Sequence, residues 1–164
     1  MQPKALKFAI TVTLLIILSL TACKRAEYSD SHSCRELSDS VSGAWQDGKE
    51  YSEYGEKQLG YIFDSDTRPD DFCISYSTQT DDIDELGVFH ASEGDTAERI
   101  LDELSDYLND MREDKRAFIA SYAPNELQKL DGAKLARFGN YVVYVIASPE
   151  RAEIALKEIE QRLK

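Results

Sequence analysis

Acidic side chains form two clusters in this sequence, and closely spaced carboxylates can bind a divalent cation or serve as the acid and base of a hydrolase. The first cluster is Asp64, Asp66, Asp70 and Asp71, and the second is Asp81, Asp82, Asp84 and Glu85. The first does not fit the calcium loop of an EF-hand, because Pro69 and Ser75 stand where that loop needs Gly and Glu. The second has no spacing that specifies a site. We therefore expect solvated loop charge in both clusters, with no metal site and no assigned catalytic residue.

The cysteines and histidines are the other side chains that could carry out chemistry. Cys34 and Cys73 are a candidate disulfide pair, since a disulfide is permitted outside the cytoplasm, and the alternative is two buried thiols that behave as small apolar residues. His90 could act as a base toward Cys73, but no third residue that would orient it is evident. The common hydrolase, zinc, phosphate-loop, dinucleotide and Cys-x-x-Cys motifs do not occur. The sequence thus predicts no cofactor, and a small hydrolase that uses paired carboxylates remains an alternative function.

The residues before Cys23 are organised like a secretion signal. Residues 1–7 carry two lysines and no acidic residue, and residues 8–20 are apolar apart from two threonines and a serine. A membrane-spanning helix needs about 20 apolar residues, so this shorter run fits the apolar region of a signal peptide better. The junction Leu20-Thr21-Ala22-Cys23 resembles the lipobox of bacterial lipoproteins, which implies cleavage before Cys23 and lipid on its thiol. A short membrane anchor with an incidental cysteine is the alternative.

Export and lipidation define the expected organisation of the chain. We expect a signal peptide at 1–22, a lipidated cysteine and tether at 23–32, and one domain at 33–164, held on the extracytoplasmic face of the cell membrane by its lipid. The predicted signal removes two lysines, so the formal net charge changes from −12 to −14. Such a charge disfavours nucleic acid as a partner. Solubility explains it most simply, and a cation or a basic partner is the alternative.

Hydrophobic periodicity predicts an α+β domain. The predicted strands are 72–77, 86–90, 133–138 and 141–147, and the predicted helices are 34–45, a short piece near 59–63, 95 to about 120, and 148–164. Ser33 and Glu36 have the spacing of a capping box, Asp95 is the expected N-cap of the longest helix, and Gly139-Asn140 has the composition of a hairpin turn. The core order is β-β-α-β-β-α, preceded by one or two helices. We expect an antiparallel sheet with the helices on one face.

The strand predicted at 141–147 is apolar on both faces. One face should pack on the two long helices, and the other must also be covered, or it becomes an exposed apolar surface. The helix at 34–45 is the expected cover, and this arrangement would also bring Cys34 to the side of the sheet that carries Cys73. If it does not cover that face, Tyr141 and Tyr144 are candidates for a partner-binding surface.

Short motifs in the second half of the chain resemble a known family. They are Asp84-Glu85-Leu86-Gly87-Val88-Phe89, Tyr122-Ala123-Pro124 and Gly139-Asn140-Tyr141-Val142, separated by an acidic helix and a Leu-containing turn. The pattern, over roughly 34–160, resembles the bacterial lipoproteins grouped as domain of unknown function 4358, which are common in Gram-positive species. The resemblance implies a lipoprotein on a Gram-positive membrane. It implies no activity, cofactor or catalytic residue.

The leading hypothesis is a non-enzymatic module that binds a protein or another envelope component outside the membrane. The carboxylate hydrolase is the alternative, and 142 mature residues are few for a two-lobed solute-binding protein. An aromatic-lined pocket holding two carboxylates with shifted pKa values would favour the enzyme. A flat apolar patch near Tyr141 or Tyr144 would favour a protein partner.

Overall fold

The computed structural model describes residues 28–164 and has helices on both faces of an antiparallel sheet. Its strands are β1 (Tyr51–Glu53), β2 (Asp71–Ser77), β3 (Glu85–His90), β4 (Lys134–Phe138) and β5 (Tyr141–Ile146), in the order β1-β2-β3-β5-β4. Its helices are α1 (Cys34–Trp45), α2 (Leu59–Ile62), α3 (Gly94–Asp114), α4 (Arg116–Tyr122), α5 (Leu127–Asp131) and α6 (Pro149–Leu163), with 3-10 turns at Glu56–Gln58 and Pro124–Glu126. The α+β fold class is therefore confirmed.

The predicted signal peptide and Cys23 lie outside the described residues. Within 28–164, no helix combines the length and the apolar character needed to cross a membrane.

The two central strands give the sheet two distinct ends. In the antiparallel pairing of β3 with β5, Glu85 lies opposite Ile146 and His90 lies opposite Tyr141. We call these the Glu85 end and the Asn140 end, because the Gly139-Asn140 turn between β4 and β5 lies at the second. Gly139 has a φ of 61°, a left-handed conformation that glycine adopts without a Cβ clash.

The helices do not share one face of the sheet, so that expectation was wrong. The apolar side chains of α1 and α6 pack with Tyr141 and the other odd-numbered residues of β5, while α3 packs with Tyr144 and the even-numbered ones. Because β5 is apolar on both faces, each face needs its own cover. Tyr141 and Tyr144 are both fully buried, so the hypothesis that they form a partner-binding surface is also wrong.

Local signals explain several boundaries and miss others. Ser33 and Glu36 form the capping box that starts α1. The long helix starts two residues earlier than the predicted cap requires, with Glu93 instead of Asp95 in the N-cap position. The acidic helix also divides at Lys115, which separates α3 from α4. Strand β1 and helix α5 were not predicted, because each is too short for a periodic pattern.

The described part of the predicted tether packs on the domain. The ring of Tyr28 contacts that of Phe138 edge-on, with 5.7 Å between centroids. The Ser29 amide donates to the carbonyl of Leu163 over 2.8 Å. The folded unit therefore begins no later than Tyr28, before the expected domain boundary at residue 33.

Candidate functional site

Asp84 and Glu85, adjacent residues at the start of β3, contact different sets of partners at the Glu85 end of the sheet. Asp84 is surrounded by cations from three other segments, whereas Glu85 lies against Tyr144 on the α3 face. Both residues are buried, with exposed fractions of 1% and 8%. The interpretation of this cluster as solvated loop charge was therefore wrong for these two carboxylates.

Three cations compensate the buried charge of Asp84. Lys49 Nζ lies 2.7 Å from its Oδ2, and Arg151 donates to the same oxygen. Lys129 Nζ lies 2.9 Å from Oδ1, in an ion pair whose geometry is not that of a hydrogen bond. A buried carboxylate is tolerated only with such partners, because removing it from water is costly.

Asp82 shares two of these cations. Its oxygens lie 2.5 Å from Lys49 Nζ and 2.6 Å from Lys129 Nζ. Burial alone would raise the pKa of Asp82, but the hydrogen bonds from Lys129 and Lys49 outweigh it and lower that pKa well below its usual range. Partial burial alone would lower the pKa of Lys129, but its bonds to carboxylates, with Asp82 first among them, raise that pKa. Asp82 is therefore a charged structural group.

Glu126 completes a cluster of carboxylates that resembles a cation site in spacing alone. Three carboxylate oxygens, one from each of Asp82, Asp84 and Glu126, lie within 4.8 Å of one another. Lys129 Nζ is also 2.6 Å from Glu126 Oε2. Because ammonium groups already lie between these carboxylates, the cluster supplies its own counter-charge.

Arg151 connects this network to both helices of the α1/α6 face. Its guanidinium lies 4.1 Å above the ring centre of Trp45, a cation–π contact, and its Nη2 is 2.5 Å from Asp47 Oδ2. The indole of Trp45 donates in return to the carbonyl of Arg151 over 2.9 Å. The end of α1 and the start of α6 are thereby fixed to the loop before β3.

Glu85 faces a pocket of about 280 Å³ between β2 and α4. Its lining residues are Tyr54, Tyr76, Ser77, Asp82, Ile83, Asp84, Glu85, Met111, Lys115, Phe118 and Ile119. The Tyr144 hydroxyl donates to Glu85 Oε1 over 2.5 Å. Burial raises the pKa of Glu85 to about 7, although the hydrogen bond from Tyr144 opposes the shift. Around neutral pH the pocket therefore contains a carboxyl group that is partly protonated.

Aromatic rings form the walls of this pocket. Tyr54 and Tyr76 stack with 4.2 Å between ring centroids, and each is partly exposed. The third aromatic residue of the lining, Phe118, is 63% exposed. Its ring centroid lies 4.6 Å from that of Tyr122, which is outside the lining and 75% exposed. Exposed aromatic faces beside a buried polar group are typical of ligand-binding clefts.

The geometry favours binding over hydrolysis by paired carboxylates. Both oxygens of Asp82 are held by ammonium groups, and Asp84 is enclosed by cations. Neither can act readily as a base. Of these three carboxyl groups, only that of Glu85 combines access to the pocket with a pKa near neutrality.

The first acidic cluster is not part of this site. Asp70 accepts hydrogen bonds from the backbone amide and the hydroxyl of Ser92, and Asp71 accepts one from the backbone amide of Cys34 over 2.7 Å. Sequence reasoning missed Lys49, Lys129, Arg151, Tyr54 and Tyr76, which are distant along the chain. The available signal was the Asp-x-Asp-Glu run directly before an apolar strand.

Cys34 and Cys73 are both buried on the α1/α6 face, and the structure has them as free thiols. Burial, followed by the charge of Asp71, raises the pKa of Cys34 far above its ordinary value. Burial also raises the pKa of Cys73. These thiols are poor nucleophiles, which argues against Cys73 acting with His90. Their disulfide stays a prediction for the exported protein.

No curated protein and no solved structure matches this chain significantly. The model of the domain of unknown function DUF4358 matches residues 47–147, from just before β1 to just after β5. The matched segment includes Lys49, Asp82, Asp84, Glu85 and Lys129, and it leaves out α1 and α6. Because the match covers more than half of the chain, the protein belongs to the DUF4358 family.

Proposed function

We propose that this protein is a lipoprotein anchored through Cys23 to the extracytoplasmic face of the cell membrane. The lipobox-like junction, the short apolar run before it and the charge of the remaining chain support the proposal. Two or three acyl chains on one residue would hold the domain firmly at the bilayer. Cys23→Ala should abolish incorporation of labelled palmitate, whereas Cys34→Ala should leave it intact. Labelling of the Cys23 variant would contradict the proposal.

The domain itself is, in this proposal, a binding module whose ligand occupies the pocket beside Glu85. One observation carries this step: a carboxyl group with a pKa of about 7 faces a pocket walled by aromatic rings. The neutral carboxyl group offers one hydrogen-bond donor and acceptor oxygens. A buried polar group of this kind would fix the orientation of a ligand that the rings hold by contact.

The chemistry of the pocket favours an uncharged ring with hydroxyl or amide substituents, such as a sugar unit of an envelope glycan. Stacked tyrosines offer flat faces for such a ring. An anionic ligand would be disfavoured by the net negative charge of the protein. An apolar ligand would leave the carboxyl group of Glu85 without a partner on the pocket side.

Titration of the detergent-solubilised full chain with an N-acetylglucosamine trisaccharide, followed by calorimetry, tests this step. Tyr76→Ala should weaken binding at least tenfold. Tyr61→Ala removes a tyrosine that is 80% exposed and outside the pocket. The affinity of this variant for the trisaccharide should therefore equal that of the wild type. No binding to the wild type, or equal losses in the two variants, would contradict a sugar-binding pocket.

A hydrolase is the second candidate, and one observation favours it. Glu85 lines the pocket and its pKa is raised to about 7, so its carboxyl group can carry a proton near neutral pH. A carboxyl group kept protonated in this way is typical of the general acid of a hydrolase. Release of nitrophenol from a nitrophenyl N-acetylglucosaminide, lost in Glu85→Gln, would favour it over simple binding.

A further inference from the structure

We infer that the Asn140 end of the sheet faces the membrane and that the Glu85 end faces away from it. This orientation rests on the proposed lipid anchor at Cys23. To the proposed function, the orientation adds the position of the ligand pocket relative to the bilayer.

The residues nearest the anchor are fixed to the Asn140 end by several contacts. Tyr28 packs on Phe138, and its Cβ lies 3.1 Å from the position that a Cβ on Gly139 would occupy. The Asn140 side chain donates to Asp30 Oδ2 over 2.9 Å. These contacts join the start of the described chain to the β4–β5 turn.

Two further bonds extend the attachment to neighbouring elements. The Tyr141 hydroxyl donates to the carbonyl of His32 over 2.5 Å. The Ser29 amide caps the carbonyl of Leu163, at the last turn of α6. The incoming chain is thus held by β4, β5 and α6 together, and a rotation about one contact would break the others.

The connection between lipid and domain is short. Four residues, 24–27, separate Cys23 from Tyr28. At roughly 3.3–3.6 Å per residue, five steps of fully extended chain reach at most about 18 Å. The Asn140 end must therefore stay within that distance of the bilayer surface.

The pocket lies at the opposite end of the same elements. Five residue steps separate Glu85 from His90 along β3, or about 17 Å. Helix α6 carries Arg151, near Asp84, and Leu163, near Ser29, and the 12 residue steps between them span about 18 Å. Along the sheet, the pocket therefore lies about 17–18 Å beyond the docked chain. It faces ligands outside the membrane instead of lipid headgroups.

Energy transfer from a single labelled thiol to a lipid-borne acceptor can measure this orientation in the full lipoprotein. Gln161→Cys places a label on exposed α6 near the Asn140 end, and Thr80→Cys places one on the exposed loop at the Glu85 end. The wild type should take up little label, because Cys34 and Cys73 are buried. In phosphatidylcholine vesicles carrying rhodamine-labelled lipid, transfer from position 161 should exceed transfer from position 80 severalfold.

The outcomes separate the orientation from the anchor on which it rests. Equal or reversed transfer from the two positions, in protein that floats with the vesicles, would overturn the orientation and leave the anchor standing. Protein that does not float with the vesicles and carries no acyl chain would overturn the anchor, and the orientation with it.

Discussion

Gly87 lies directly opposite Tyr144 on the paired strands β3 and β5, and the Tyr144 ring occupies the space that a side chain at Gly87 would fill. A Cβ at position 87 would be 2.2 Å from a carbon of that ring. The missing side chain lets the ring lie across β3, where its hydroxyl reaches Glu85. The hydrogen bond beside the pocket thus depends on a glycine two residues away.

Gly87→Ala should therefore destabilise the protein by about 1–3 kcal/mol, the usual cost of forcing extra volume into a packed core. Urea unfolding measures the change. Gly43→Ala is the control, because Gly43 is exposed in the last turn of α1 with nothing within 4 Å of its added Cβ. That change should not destabilise the protein and should stabilise the helix by at most about 0.5–1 kcal/mol. Equal effects at both positions would contradict the packing described here.

The stability of the wild type should fall as the pH rises from about 4.5 to 7. Burial raises the pKa of folded Glu85 from 4.5 to about 7, so within this window the folded state holds a proton that the unfolded chain has lost. Within this window the free energy of unfolding falls by about 1.4 kcal/mol for each pH unit. The total loss of stability is therefore about 3 kcal/mol. The carboxyl groups with lowered pKa values, such as Asp82 and Asp70, titrate below the window.

Glu85→Gln keeps an acceptor for the Tyr144 hydroxyl and removes the titration. Its unfolding free energy should change much less than that of the wild type between pH 5 and pH 8. Urea unfolding at the two pH values supplies the comparison. The assignment fails if the wild type is equally stable at both, or if the variant loses stability in parallel with it.

Asp84→Ala should cost about 3–5 kcal/mol, because it leaves Lys49, Lys129 and Arg151 partly buried around a missing charge. Thermal unfolding and urea unfolding both measure this loss of stability. Arg68→Ala is the matched control, since Arg68 and Glu56 form a 3.4 Å pair in which both side chains are largely exposed. An exposed pair contributes at most about 1 kcal/mol. A small effect at Asp84 would contradict its role in the network.

Asp106, Asp110 and Asp114 follow one another at four-residue spacing along α3, and none has an ion-pair partner among residues 28–164. Like charges at this spacing destabilise a helix by roughly 0.2–0.5 kcal/mol per pair. Asp110→Asn removes two such pairs and should stabilise the protein by up to about 1 kcal/mol at low salt. The gain should shrink in 1 M salt, where screening is strong. A salt-independent gain would contradict the electrostatic explanation.

The sequence predicted features whose cause is local. The capping box at Ser33 and the Gly-Asn turn need only neighbouring residues, and strand β5 is readable from its continuous apolar run. The side of the sheet on which a helix packs is not a local property. An apolar stripe shows that α3 and α6 each bury one face, and it does not show which surface of the sheet receives them.

The candidate site was hidden for the same reason. The ion pairs of Asp84 join it to Lys49, 35 residues earlier, and to Arg151, 67 residues later. From the sequence alone, Asp84 is one more acid in a polar loop. Its burial follows from the packing of α6 against α1, which brings Arg151 and Trp45 together.

Arg151 also bears on the design of a minimal fragment. The family match ends at residue 147, so a fragment cut at that boundary would keep Asp84 and lose one of its three cations, together with all of α6. It would also lose α1, and the odd-numbered face of β5 would meet water. The matched segment is therefore smaller than the unit that buries both faces of the sheet, and we expect an autonomous domain to require both flanking helices.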